Sequence, residues 1–315
     1  MKKFEKTIPI FFSSDKNYLP YLAVAIQSIK ENANESYYYD IKVLCEGFDK
    51  EFDRALKKYR AKNVGVSFCD VSGKIAKIKE DLRVSLRDYY TVSIFYRMFI
   101  ASLFPELDKA IYIDCDIVLV SDIAELYDKN VDGYVLGACT DQVVSVHEAF
   151  KVYVENALGI KQARYFNSGV LLMNLKEYRA EKIEEKFLYL LKKYNLESVA
   201  PDQDYLNVLC KDRVLYLEAG FDRMPTEHPV DYPIYLIHYN MFNKPWLYDD
   251  VLYGEYFWKY AKNTEFYRAL KNMQENYPAE KKAADLKAGK ILLDNSFKIA
   301  EYDKTFKTVM EHEKL

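Results

Sequence analysis

The chain has 315 residues, of which half are hydrophobic and 30% are charged, as expected of a globular protein with a large core. Its 45 Lys and Arg residues against 48 Asp and Glu residues give a net charge of -3, which argues against nucleic acid as a partner. No uninterrupted apolar run reaches 18 residues, so no membrane-spanning helix is predicted. The five scattered cysteines form no Cys-x-x-Cys pair and the N-terminus lacks a signal-peptide pattern, so we expect a cytoplasmic protein without disulfides or zinc.

Short apolar segments alternate along the chain with segments of helical periodicity. This pattern predicts an α/β fold with a mixed, mostly parallel sheet flanked by helices. The predicted strands are 8–12, 41–45, 64–68, 110–113, 134–139, 169–174, 214–217 and 235–238. The first predicted helix has Pro20 in its first turn, and two further amphipathic helices are predicted over 51–60 and 182–194.

No repeat or flexible linker divides the chain, but its character changes near residue 250. From 251 onward it is rich in Lys, Glu and Tyr and lacks strand-like runs. We therefore expect a catalytic domain over 1–250 and a C-terminal helical extension over 251–315. The Lys-rich stretch 281–290 is typical of a solvated helix face, and it allows at most weak peripheral contact with a membrane surface.

The strongest local signal is a pair of carboxylates directly after the strand predicted over 110–113. Asp114 and Asp116 are two residues apart, a spacing that puts both side chains on one face of an extended backbone. Buried like charges repel each other unless a cation neutralises them, and carboxylate oxygens suit Mg²⁺ or Mn²⁺. A solvated pair in a loop is the alternative.

A second signal lies at the end of the last predicted strand. His238 ends this strand, and Lys244 follows in a Lys-Pro-Trp sequence. An imidazole can complete a mixed carboxylate–histidine site, which favours Mn²⁺, and a nearby lysine can offset the charge of a diphosphate. A hydrogen-bonded histidine at a strand end is the alternative.

These segments occur in a fixed order together with three others. The set comprises the opening Phe-Ser-Ser-Asp-Lys-Asn-Tyr over 12–18, Asp-Cys-Asp over 114–116, Phe-Asn-Ser-Gly over 166–169, Asp-Gln-Asp over 202–204, and His238-x5-Lys244-Pro-Trp. Over about residues 7–247 this combination resembles glycosyltransferase family 8, which includes bacterial lipopolysaccharide galactosyl- and glucosyltransferases and glycogenin. The resemblance implies a Rossmann-like nucleotide-diphospho-sugar transferase fold of the GT-A type. It also implies retaining transfer of galactose or glucose from a UDP-sugar to a glycan or a lipid-linked saccharide.

The resemblance further implies a role for each matched residue. The metal ligands for Mn²⁺, with Mg²⁺ as the alternative, would be Asp114, Asp116 and His238. The nucleotide would contact Ser13, Asp15, Asn17, Tyr18 and Cys115, and the diphosphate would meet Lys244. The catalytic residues around the transferred sugar would be Arg97, Asn167, Asp202 and Gln203, with Ser168 beside them and Asp141 as a hydroxyl acceptor.

One position departs from the family pattern, and two other functions stay open. The family often has a glycine three residues after the histidine, where this chain has Met241. A non-catalytic nucleotide-sugar-binding protein is one alternative, although the set of Asp114, Asp116 and His238 is complete. A metal-dependent nucleotidyltransferase is the other, although the chain has no Gly-x4-Gly-Lys-Ser/Thr phosphate loop.

Overall fold

The computed structural model describes residues 4–76, 79, 91–226, 230 and 232–313. Its strands, in chain order, are β1 Lys6–Ser13, β2 Tyr37–Cys45, β3 Val64–Asp70, β4 Lys109–Ile113, β5 Ile117–Leu119, β6 Leu136–Thr140, β7 Phe166–Asn174, β8 Val214–Tyr216 and β9 Leu236–His238. Seven of them form one sheet in the order β3-β2-β1-β4-β7-β6-β8. All eight predicted strands are confirmed, whereas β5 was not predicted as a strand.

The central sheet is mixed and mostly parallel, as predicted. β3, β2, β1 and β4 run parallel to one another, and so do β6 and β8. β7 runs antiparallel to both of its neighbours, β4 and β6. The last predicted strand, β9, lies outside this sheet and pairs antiparallel with β5 in a two-stranded sheet of its own.

The helices of the described residues cover both faces of the central sheet. In chain order they are Leu19–Asn32, Lys50–Lys57, Ser72–Ile75, Ile100–Leu103, Ala124–Tyr127, Glu148–Tyr153, Leu175–Ala180, Ile183–Tyr194, Pro201–Cys210, Gly254–Ala261, Tyr267–Glu275, Ala279–Ala300 and Phe306–Glu313, with 3-10 helices at Val92–Phe99, Val144–Val146, Gln162–Arg164 and Ala219–Asp222 and a π-helix at Val154–Leu158. Pro20 lies in the first turn of its helix, as predicted. The helix predicted over 51–60 ends earlier, at Lys57.

Successive residues of the central strands alternate between two hydrophobic cores. Phe11 and Tyr112 are neighbours in the parallel pair of β1 and β4, and both are buried in one core. Ile10 and Ile111 pair in the same register and are buried in the other. Because apolar side chains point to both faces of the sheet, both faces must be covered, and helices cover them. This agrees with the flanking helices predicted from the alternation of strand-like and helical segments along the chain.

The C-terminal helices pack against the rest of the chain at two places. Phe257, Tyr260 and Leu270 form a buried cluster with Val118 of β5 and Ile237 of β9. Farther on, residues of the last two helices join the core beneath the central sheet, namely Leu292, Ile299, Phe306 and Val309.

The division at residue 250 and the membrane contact of the Lys-rich stretch stay predictions. Among the described residues, no helix is both long enough and apolar enough to cross a bilayer.

Candidate active site

Three predicted metal ligands meet where β4, β5 and β9 come together. Asp114 and Asp116 lie in the short connection between β4 and β5, and His238 is the last residue of β9. Ile117 is the register partner of His238, and the Tyr239 backbone N–H donates to the Asp116 carbonyl at 2.9 Å. One ligand atom from each of the three side chains lies within 4.8 Å of the other two. The strand pairing thus joins two segments that are distant in sequence.

The space between these ligands is kept open by a glycine on β7. A Cβ atom added at Gly169 would collide with the His238 ring and would lie 2.8 Å from the Asp114 carboxylate. The Gly169 carbonyl also accepts from the Asp114 backbone N–H at 2.8 Å, so the two backbones are in contact. Two carboxylates and an imidazole around such a gap suit Mn²⁺, so the residues present fit a divalent cation.

His238 is oriented by a buried carboxylate that the sequence analysis missed. Its Nδ1 lies 2.9 Å from the Asp222 carboxylate, which leaves Nε2 on the side of Asp116, at 3.4 Å. Burial opposes protonation of His238, but the charges of Asp222 and Asp116 outweigh it and raise the pKa to about 10. The only available signal was indirect, namely that a ligating imidazole usually gives its second nitrogen to a carboxylate or carbonyl.

Lys244 lies directly against Asp116, one of the predicted metal ligands. Its ammonium group donates to the Asp116 carboxylate and to the Tyr239 carbonyl. Burial acts to raise the pKa of Asp116, but the charges of Lys244 and His238 prevail and hold it well below the usual range. Asp116 is therefore ionised at neutral pH and available as a ligand.

A buried arginine connects Asp114, a predicted metal ligand, to Asp202 on the opposite side of the site. Arg97 is 4% exposed, and its guanidinium donates to the Asp114 carboxylate at 2.8 Å and lies 3.2 Å from that of Asp202. The same group donates to the Ser168 carbonyl at 2.5 Å and lies over the ring of Tyr112, 4.3 Å from its centre. One fixed cation therefore neutralises carboxylates from two different elements.

Asp202 and Gln203 lie in the first turn of the helix Pro201–Cys210. The Ser168 hydroxyl donates to Asp202 at 2.9 Å, and the Ser168 backbone N–H donates to the Gln203 side-chain oxygen at 2.9 Å. The Gln203 amide donates to Asp141 at 3.1 Å, as does the Asn167 amide at 3.0 Å. Burial, opposed by Arg97, raises the pKa of Asp202 to about 6.

Beneath this turn lies a second carboxylate whose network sequence reasoning did not predict. Asp204 is fully buried, and it accepts from the hydroxyls of Tyr153 at 2.6 Å, Tyr165 at 2.7 Å and Ser198 at 2.5 Å. It also accepts from the Ala200 backbone N–H at 3.1 Å. These four bonds fix the start of the helix that carries Asp202 and Gln203.

The predicted residues divide between adjoining cavities. The cavity of about 180 Å³, here named the inner cavity, is lined by Arg97, Asp114, Asp116, Asp141, Asn167, Ser168, Asp202, Gln203 and His238. A second cavity of about 270 Å³ shares Arg97, Asp114 and Asp116 and adds Ser13, Asp15, Tyr18 and Cys115. Asn17 lies instead in a third cavity of about 700 Å³, which Asp15 also lines.

Met241, the residue that departs from the family pattern, lines both the inner and the second cavity. Its φ is 58°, which is the left-handed region that favours glycine. The departure in sequence therefore coincides with a strained backbone position beside the site.

Comparison with known proteins agrees with this architecture. Residues 9–250 match the sequence profile of Glycosyl transferase family 8. A Haemophilus influenzae protein named as a glycosyltransferase is 31% identical over 254 residues, which are 76% of this chain and 73% of that protein. The lipopolysaccharide 1,2-glucosyltransferase of Escherichia coli K12 is 26% identical over 253 residues, which are 75% of this chain and 72% of that protein.

Solved structures share the fold. The bifunctional glycosyltransferase WbbM in its apo form gives a TM-score of 0.72 at 24% identity, over 87% of this chain and 52% of WbbM, so this chain spans about half of WbbM. The galactosyltransferase LgtC, in complex with donor and acceptor sugar analogues, gives a TM-score of 0.66 at 24% identity, over 84% of this chain and all of LgtC. With the family profile matching most of its length, this chain belongs to glycosyltransferase family 8 and has a GT-A-like fold.

Proposed function

We propose that this protein is a retaining hexosyltransferase that moves galactose or glucose from a UDP-sugar to a hydroxyl of a glycan or lipid-linked saccharide, with Mn²⁺ bound by Asp114, Asp116 and His238. The observation that carries the proposal is the convergence of these three side chains around the gap at Gly169. The relative named as a lipopolysaccharide 1,2-glucosyltransferase and the galactosyltransferase LgtC support a hexose as the transferred group.

The chemical problem is the charge that develops as the glycosidic bond breaks. When bound, a divalent cation supplies positive charge that stabilises the leaving diphosphate. Lys244 adds a second positive charge at the same place, because its ammonium already lies against Asp116. The adjoining cavity, at the carboxyl end of β1, would receive the nucleotide. It is lined by Ser13, Asp15, Tyr18 and Cys115.

Retention needs either a covalent intermediate or attack from the face that the diphosphate leaves. Asp202 is poorly suited to act as the nucleophile, because its carboxylate accepts from Ser168 and pairs with Arg97. Gln203 is a weak nucleophile because its nitrogen lone pair is delocalised. We therefore favour same-face substitution, in which the departing phosphate oxygen takes the acceptor proton. The Gln203 carbonyl, held by the Ser168 N–H, then faces the positive charge of the sugar.

The metal assignment is tested with Asp116→Asn, which keeps the shape of the side chain and removes its charge. We expect turnover to be abolished and Mn²⁺-dependent UDP binding to weaken, with an unchanged circular dichroism spectrum. The exposed Asp132→Asn is the matched control and should behave as wild type. Full activity of Asp116→Asn in the presence of a chelator contradicts the assignment.

The reaction is tested with a panel of UDP-sugars, Mn²⁺ and saccharide acceptors, by measuring free UDP. Gln203→Ala should lower turnover about 10- to 1000-fold, or about 1.4–4 kcal/mol, with little change in donor affinity. A glycosyl adduct on Asp202 or Gln203 seen by mass spectrometry without acceptor contradicts same-face substitution. Pyrophosphate release would favour a nucleotidyltransferase, and donor binding without turnover would favour a binding protein.

A further inference from the structure

Asp141 is a buried carboxylate that directly follows β6 and lines the inner cavity. Its Oδ1 accepts from the backbone N–H groups of Val143 at 3.0 Å and Val144 at 2.9 Å. These two bonds close the turn at the start of the 3-10 helix Val144–Val146. The turn therefore fixes the direction in which the carboxylate points.

The second oxygen of Asp141 makes contacts that the turn does not require. Oδ2 accepts from the side-chain amide of Asn167 at 3.0 Å and from that of Gln203 at 3.1 Å. An asparagine closes such a turn as well as an aspartate does, and it uses a single oxygen for this purpose. The turn alone therefore does not explain a carboxylate at position 141, whereas the two amides at Oδ2 do.

The hydrogen bonds of Asp141 occupy all of its acceptor sites. An ionised carboxylate has about four lone-pair sites, two on each oxygen. Each oxygen of Asp141 already accepts from two N–H groups. A sugar hydroxyl can therefore bond to Asp141 only if one of these bonds is broken. The carboxylate acts on the contents of the inner cavity through the amides that it holds.

The amide group of Gln203 is held at both of its ends. Its Oε1 accepts from the Ser168 backbone N–H at 2.9 Å, and its Nε2 donates to Asp141. Turning the amide over would place its NH₂ group against the Ser168 N–H and its oxygen against the Asp141 carboxylate. Both contacts would then be repulsive. The two contacts therefore allow only the orientation in which the Gln203 oxygen lies on the side of Ser168.

The charge of Asp141 also strengthens the dipole of the Gln203 amide. A hydrogen bond to an ionised acceptor is stronger than one to a neutral acceptor, and hydrogen bonds in series polarise one another. Gln203 is 8% exposed, so water screens this effect little. A carboxylate at Nε2 thus shifts electron density toward Oε1, the atom that faces the positively charged sugar in the proposed mechanism.

We propose that Asp141 is a positioning residue, which orients and polarises the Gln203 amide against the sugar to be transferred and does not itself bind a sugar hydroxyl. This inference rests on the proposed function, because it assumes that the inner cavity holds that sugar. It replaces the role of hydroxyl acceptor that the family resemblance implied for Asp141.

The test is a double-mutant cycle of wild type, Asp141→Asn, Gln203→Ala and the combined variant. For each protein, kcat and the KM values of the UDP-hexose donor and of the acceptor are measured with Mn²⁺. Asp141→Asn keeps the shape of the side chain and can close the turn through its one oxygen. It places an NH₂ group opposite the amides of Gln203 and Asn167, so that donors face donors.

Asp122→Asn is the matched control. Asp122 also closes a turn, by accepting from the Ala124 N–H at 2.9 Å, and it lies between β5 and the helix Ala124–Tyr127. Circular dichroism and thermal melts check the fold of every variant.

Asp141→Asn should lower kcat about tenfold or more and keep both KM values within about twofold of wild type, because it disturbs a group that acts on the transition state. The loss in the combined variant should be at least about fivefold smaller than the product of the two single losses, because Asp141 acts through Gln203. Asp122→Asn should match wild type. The proposal is overturned by an unchanged kcat, by single losses that multiply, or by a raised KM at unchanged kcat, which is the result expected of a hydroxyl acceptor.

A second comparison decides the matter if Asp141→Asn folds poorly. Combining Asp141→Asn with Gln203→Glu places an NH₂ group opposite a carboxylate again, so a donor faces an acceptor. Gln203→Glu alone places two carboxylates against each other. The combined variant should therefore melt at a higher temperature than either single variant, and any other order overturns the contact on which the proposal rests.

A failure of the proposed function has a different signature. If wild type releases no UDP from any UDP-hexose, with or without acceptor, the donor assignment is wrong. The melting comparison does not depend on turnover, so it still decides whether Asp141 holds the Gln203 amide.

Discussion

Replacing Met241 by glycine should stabilise the protein, because the backbone at this position favours a residue without Cβ. Met241 has a φ of 58°, and the left-handed conformation costs a residue with Cβ about 1–2 kcal/mol. Glycine has more freedom in the unfolded chain, which offsets about 0.4–1 kcal/mol of that gain. The Met241 side chain is 40% exposed, so little packing is lost. We expect a net stabilisation of about 0.5–1 kcal/mol.

The assay is urea unfolding followed by circular dichroism, with Met241→Ala as the matched control. Alanine also loses the methionine side chain but keeps Cβ, so the difference between the two variants reports the backbone strain less the greater freedom of glycine in the unfolded chain. With a slope of about 3 kcal/mol/M, the glycine variant should unfold at a urea concentration about 0.2–0.3 M higher than the alanine variant. A glycine variant that is less stable than the alanine variant, at equal slopes, would refute the reasoning, since the left-handed conformation would then cost less than the freedom that glycine gains in the unfolded chain.

Two further predictions follow from buried carboxylates. Asp222→Asn keeps a side chain that can hydrogen-bond to His238 but removes the charge of the carboxylate. It should therefore weaken Mn²⁺ binding about 10- to 100-fold in a calorimetric titration. An unchanged affinity means that Asp222 does not position the imidazole. Asp202 has its pKa raised by burial from 3.8 to about 6, so the stability it contributes is fully present below about pH 3.8 and is lost as the pH rises through 6. Asp202→Asn should therefore be more stable than wild type at pH 7.5, by about 1–3 kcal/mol, and equal to it near pH 4. Thermal melts at both pH values check this, and a variant that is less stable than wild type at pH 7.5 contradicts it.

The sequence indicated which residues converge at the proposed cation site better than the way in which they meet. Asp114, Asp116 and His238 follow or end apolar runs, and strand ends are where side chains of an α/β sheet converge. The pairing of β5 with β9 was not predicted, because three-residue strands carry almost no periodic signal.

Residues that hold the site in place were harder to predict than those that line it. Asp204 takes its partners from Tyr153, Tyr165 and Ser198, which are separated in sequence and belong to different elements. Neither these partners nor the link between Asp222 and His238 follows a repeating spacing, so only the tertiary fold reveals them. The second helix ends earlier than predicted because the Lys58 backbone N–H bonds to the Ala55 carbonyl and closes a turn at this point.

The antiparallel pairing of β5 with β9 also sets when the proposed cation site can form during synthesis on the ribosome. Asp114 and Asp116 leave the ribosome long before His238, and β9 is covered only when Tyr260 and Leu270 have been made. A chain that stops short of His238 can offer two carboxylates to a cation but no imidazole, and a chain that stops short of Tyr260 also lacks the apolar cover of β9. The complete residue set of the proposed cation site therefore becomes available only when most of the chain has been translated.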